Sequence, residues 1–241
     1  MRNSLTIVFG ISMIAAFACG GSSRPAPPAA SPTPVSDEAF KAAATTHANA
    51  IQITSGDLPA GWTGKPHVKS DTQLDLSPEC AAFNDEDSPN AVVDTDSDDF
   101  TDATDRTVSS GVTIYRTAEL ASQDYAEAVD LLTRCREEFA RAAEASIVEN
   151  APGATAHVTF DFVPSGELGG WTNGYKVSIS AASANGARTF HSDVTAFVKV
   201  DGRIMTTFEY DGDKPIDADM SGALKALLAK RTADAEGTLP R

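Results

Sequence analysis

The chain has no apolar run long enough to cross a bilayer as a helix. Its longest, from Leu5 to Phe17, spans about 13 residues, against the ~20 that a hydrocarbon core requires. Phosphate-binding glycine loops, dinucleotide fingerprints and Gly-x-Ser-x-Gly turns are missing, which excludes the common nucleotide-binding and α/β-hydrolase machinery. The four histidines, His47, His67, His157 and His191, never stand at the i, i+2 or i, i+4 spacing of a metal pair. His191 and Asp193 would share one side of a strand, where a carboxylate can orient an imidazole, but such a pair is ordinarily solvated surface. Basic residues are scarce as well: 19 Lys and Arg face 34 acids, for a net charge of -15. That balance disfavours nucleic acid and anionic membrane surfaces as partners of the domain, and favours a cationic partner or a divalent cation.

What the N-terminus does have is a targeting pattern. Arg2 precedes the apolar run, small residues close it, and Cys19-Gly20-Gly21-Ser22-Ser23 follows in place of a stop-transfer sequence. Ala18-Cys19-Gly20 resembles the lipobox of bacterial lipoproteins, which implies cleavage before Cys19, acylation of its thiol and anchoring through two or three lipid chains. A soluble secreted product cut near Ala18 is the alternative. Residues 1–18 are thus read as a signal peptide, and 19–36 as a Gly-, Pro- and Ala-rich tether. Pro25, Pro27, Pro28, Pro32 and Pro34 bias that tether to extended chain with nothing to bury.

Residues 37–241 remain for one extracytoplasmic domain, enough for a single well-buried core. Only Cys80 and Cys135 lie within it. In an oxidising compartment two such cysteines pair; two unpaired buried thiols are the other reading. Ser36 caps an alanine-rich helix ending near residue 47, and 50–54 read as a first strand. Residues 71–107 are polar, Asp-rich and interrupted by proline, and read as an irregular excursion. A strand over 107–115 precedes a long helix over 117–146 with an apolar stripe through Leu132, Cys135 and Phe139. Strands follow over 157–163, 174–182, 188–200 and 203–210, with hairpin signals at Asn185-Gly186 and Asp201-Gly202, and a helix over 217–233 closes the chain. Strands flanked by helices without βαβ alternation predict an α+β fold: an antiparallel sheet of about five strands with the long and C-terminal helices packed on a face.

Two constellations could hold a ligand. From Asp94 to Asp105, oxygen side chains recur at the spacing of an EF-hand calcium loop, with Asp94, Asp96, Asp98, Asp102 and Asp105 as candidate ligands. Asp99 stands where the loop needs Gly and Asp105 where it needs a bidentate Glu, so weak calcium binding competes with a plain solvated loop; no other cofactor is expected. Trp62 and Trp171 are the candidate binding residues, as walls of an apolar concave face.

The motifs Asp57-Leu58-Pro59-Ala60-Gly61-Trp62, Ser77-Pro78-Glu79-Cys80, Val112-Thr113-Ile114-Tyr115 and Leu131-Leu132-Thr133-Arg134-Cys135, behind a lipobox and Pro-rich tether, resemble exported actinobacterial lipoproteins. They also resemble the extracellular sensor domains of mycobacterial receptor serine/threonine kinases. That resemblance implies a mixed α/β fold with a cleft that senses an extracellular ligand, although those domains carry two disulfides and only one can form here. The expected function is a non-catalytic binding or sensor-like module, held to the membrane by its lipid, for a small or lipidic ligand or an envelope protein. An envelope hydrolase with a dispersed site is the alternative.

Overall fold

A computed structural model describes residues 35–69, 73–84, 88–184, 186 and 188–240. The signal peptide, Cys19 and most of the tether lie outside the described residues. Helix α1 (Asp37–Ile51) starts as its sequence requires, with the Ser36 hydroxyl accepting from the Ala39 amide and two acids in the first turn. It runs past residue 47 because Phe40, Ala44, Ala48 and Ile51 repeat at helical spacing and are all buried. Residues 50–54 are therefore no strand. Ile53 instead docks its amide on the Ser110 hydroxyl at 2.9 Å.

The antiparallel sheet has eight strands rather than about five: β1 (Thr63–Lys65), β2 (Ala91–Asp96), β3 (Asp99–Thr101), β4 (Thr107–Tyr115), β5 (Thr155–Phe162), β6 (Asn173–Ala182), β7 (Thr189–Asp201) and β8 (Ile204–Gly212). Their order is β1-β3-β4-β8-β7-β6-β5, with β2 also on β4. The three additional strands lie in or beside the stretch read as irregular. β2 and β3 pair with the two ends of β4, one bent edge broken at Ser97-Asp98, where Ser97 keeps contact through its amide and hydroxyl to Ser110. Pairing with β4 overrides the low strand propensity of aspartate.

Helices cover both faces rather than one. α1 and α3 (Ala218–Thr238) bury Phe40, Ala48, Leu224 and Leu228 against Val108, Val112, Ile204 and Phe208. α2 (Ala118–Asn150) buries Leu132, Cys135, Phe139 and Ala143 on the other side, against Val158, Phe160, Val177, Val194 and Ala196. Within β7, Val194 and Ala196 belong to the second core and Phe197 to the first, as the alternation of a strand demands. No helix among the described residues is long and apolar enough to cross a membrane.

The Asp201-Gly202 signal marks a hairpin with its turn one residue later. Asp201 still pairs with Ile204, so Gly202 and Arg203 form the turn, and only Gly202 has positive φ, at 58°. A Cβ on Gly202 would sit 2.6 Å from the Glu236 carboxyl carbon, which packs there to bind Arg203. The other hairpin is wider: β6 and β7 close through the Ser183 amide to the Arg188 carbonyl, and Gly186 supplies φ of 65°.

Candidate functional site

Cross-strand register carries the α2 side of the sheet from apolar to acidic. One row runs Phe162, Tyr175, Ala196, Glu209, Ser109; the next runs Phe160, Val177, Val194, Asp211, Thr107, Thr101. Core packing with α2 takes up the β5–β7 end, whereas Met205, Thr207, Glu209 and Asp211 of β8 stay partly open. Asp99 of β3 faces the same way, two residues before Thr101.

This floor is electrostatically tense. Burial, together with the charges of Asp211, Asp99 and Asp96, pushes the Glu209 carboxyl up to about 8, with His67 partly offsetting them. No hydrogen bond reaches that carboxyl from the described residues. Burial also raises Asp211, against hydrogen bonds from the Ser192 hydroxyl and the Gly212 amide. His67 lies beside them with Nδ1 2.9 Å from Asp99 Oδ1; that hydrogen bond, and then the surrounding negative charge, raise the imidazole above its ordinary value despite burial.

The disulfide frames the floor. Cys80 and Cys135 are bonded, fastening the segment before β2 to α2, and both sulfurs are buried beside Phe83 and Phe139, whose rings are 5.1 Å apart. A second tie lies at the start of α2. Buried Asp124 accepts from the Ser88 hydroxyl and from Asn90 Nδ2 at 2.8 Å, next to the Tyr115 phenol, which burial raises. Sequence reasoning passed over Asp124, because an acid in a helix rich in charge reads as solvated.

The acids with calcium-loop spacing do not form a loop around one point. Asp94 and Asp96 lie on β2, Asp98 at the break, and Asp102 and Asp105 in the β3–β4 turn. Asp102 organises that turn: its Oδ1 accepts from the Thr104 and Arg106 amides and its Oδ2 from the Arg106 guanidinium at 2.6 Å. Burial would raise its carboxyl, but these bonds outweigh it and hold it at about 2. Asp94 accepts from the Thr113 hydroxyl. Among the described residues no group of three or more His, Cys, Asp or Glu is placed to hold a metal ion.

The two tryptophans both pack on the first core. Trp171 is 5% exposed, 6.3 Å and 6.5 Å from the rings of Phe197 and Phe208, and Trp62 is half-buried on the same core. His191 and Asp193 do share a side, as expected, and Ser180 joins them. Ser180 Oγ is 3.3 Å from His191 Nδ1, and His191 Nε2 is 3.5 Å from Asp193 Oδ1. Asp193, however, is engaged by Lys176 at 2.7 Å. The group is an exposed polar surface. Beside the start of α2, a further cavity lies between Phe40, Arg116, Arg203 and Glu236. Arg203 there is engaged by Glu236 and by the carbonyls of Leu239 and Pro240.

No protein-family model matches the chain, and no curated protein matches it. Among solved structures it is loosely similar to the extracellular domain of PknH from Mycobacterium tuberculosis, with 14% sequence identity and a TM-score of 0.48 over 83% of this chain and 98% of that chain.

Proposed function

We propose that the chain is an envelope-anchored, non-catalytic binding module whose ligand contacts the partly open, polar floor on the α2 side of β8. The observation that carries this reading is the half-buried Glu209 carboxyl, which faces the open part of the floor beside His67 and Asp99 with no hydrogen bond from the described residues, its surroundings pushing it up to about 8. A carboxyl whose ionisation is opposed by its surroundings on a partly open floor is a physical candidate for a binding site. The ligand class that fits is a small, hydrogen-bonding molecule with a cationic group. A lipid fits less well, because Trp171 belongs to the core and Trp62 packs on it. A thermal-shift screen of small amines and amino acids at about pH 8.5 tests the site. Ligands that stabilise the chain by RT ln(1 + [L]/Kd) should lose their effect in Glu209→Gln. If every hit acts equally on that variant, the floor is not the site.

The anchor is Cys19. Acylation there holds the domain on the outer side of the membrane, with residues 19–36 as spacer and no need of a spanning helix. Membrane and envelope are the setting, and the net charge of -15 weighs against nucleic acid. Cys19→Ser is expected to move the protein from the membrane fraction to the medium, or to stall it unprocessed. Unaltered partitioning would refute lipid anchoring.

A further inference from the structure

β1 is three residues long and pairs with β3, which meets β4 at only two positions, Phe100 with Val108 and Thr101 with Thr107. An edge with so few ladder bonds depends on side chains to stay seated. Phe100 supplies one hold, being 3% exposed in the core. The other is His67, two residues beyond β1, bonded to Asp99 of β3. Their side chains are 14% and 23% exposed, so the pair is screened less than one on the open surface.

Glu209 faces this pair. Around its carboxyl stand Asp211 of the same strand, Asp96 of β2, Asp99 of β3, His67 and the Tyr175 phenol of β6, while β4 and β7 present the uncharged Thr107, Ser109, Val194 and Ala196. We infer that His67, Asp99 and Glu209 form a proton-operated clasp, closed in mildly acidic solution and released in alkaline solution, which seats β1 and residues 66–69 against the sheet.

Both titrations drive the clasp the same way. The folded Glu209 carboxyl lies above its ordinary 4.5, at about 8, so its contribution is complete below 4.5 and is lost as pH rises through about 8. The His67 imidazole also lies above its ordinary 6.5, so its contribution is complete below that value and is lost as pH rises through the raised one. Alkaline solution thus neutralises the cation of the tie and adds an anion to a floor that already holds Asp96, Asp99 and Asp211. Acid does the reverse. The clasp concerns the free protein and stands whether or not a ligand binds the floor.

Hydrogen–deuterium exchange on the processed full chain tests it, with times scaled for the intrinsic pH dependence of exchange. Protection of residues 63–69 and 96–101 should fall about tenfold between about pH 6 and pH 9, while β6 and β7 keep theirs. His67→Gln should show the low value already at pH 6. Glu209→Gln, neutral throughout, should lose less of its protection between about pH 6 and pH 9 than wild type, because only His67 still titrates. Protection of the wild-type edge independent of pH, or a Glu209→Gln profile identical to wild type, would overturn the clasp. Should that variant fail to fold, NMR titration of the wild type decides: His67 and Glu209 titrating at their ordinary values would overturn it equally.

Discussion

Replacing Cys80 and Cys135 together by Ala should lower the unfolding free energy by about 4 kcal/mol, the loop-entropy value for a closed loop of this size. The cysteines are 55 residues apart, and the chain between them contains β2, β3, β4 and the first half of α2. The bond therefore limits the unfolded freedom of the segment that carries most of the edge beside the candidate floor. In the folded state it pins residues held otherwise by few elements: Phe83 on Phe139, and the amide and hydroxyl of Ser77 on Glu138. For a domain of this size, each kcal/mol moves the melting temperature by roughly 2–4 °C, so calorimetry should record a fall on the order of 10 °C. The double variant is the right comparison, because a single substitution leaves a buried thiol free to react. If reduced and oxidised wild type melt together, the bond does not constrain the unfolded chain.

Phe208→Ala should cost nearly as much, about 4 kcal/mol. Phe208 is fully buried in the middle of β8, stacked on Phe197 at 6.3 Å and flanked by Trp171 and Tyr210. On the same face of β8, Thr206 is fixed by a 2.8 Å bond to Thr232 of α3, so the surroundings cannot collapse into the void. Phe190, 46% exposed near the start of β7, provides the contrast: its replacement by Ala should stay within about 0.5 kcal/mol. Urea denaturation with an unchanged slope should show both effects as shifts of midpoint. A Phe208→Ala midpoint close to wild type would mean that the first core repacks freely.

Where local pattern and environment agreed, the sequence alone was sufficient. The stripe through Leu132, Cys135 and Phe139 placed α2, and period-two alternation with glycine turns placed β5 to β8 nearly to the residue. Two cysteines in a domain read as exported were enough to expect the pairing that the structure shows, because that expectation rests on chemistry and not on geometry.

Tertiary structure decided the rest, and the reason is pairing. β2 and β3 are strands because β4 offers them a ladder; aspartates at 94, 96, 98 and 99 hide any alternation that could have announced them. The same pairing spread the calcium-like spacing over a strand, a break and a turn, since ligand spacing in sequence means proximity only when the chain curls back on itself. The tryptophans illustrate the converse. An aromatic side chain reads alike whether it walls a pocket or fills a core, and the contacts of Trp171 with Phe197 and Phe208 assign it to the core. Glu209 was the least legible residue of all. In β8 the alternation Ile204, Thr206, Phe208 puts Met205, Thr207, Glu209 and Asp211 on what reads as a solvent face. Only the third dimension brings α2, His67 and Asp99 over that face, and it is their proximity that makes an ordinary strand carboxylate a half-buried acid with a raised pKa.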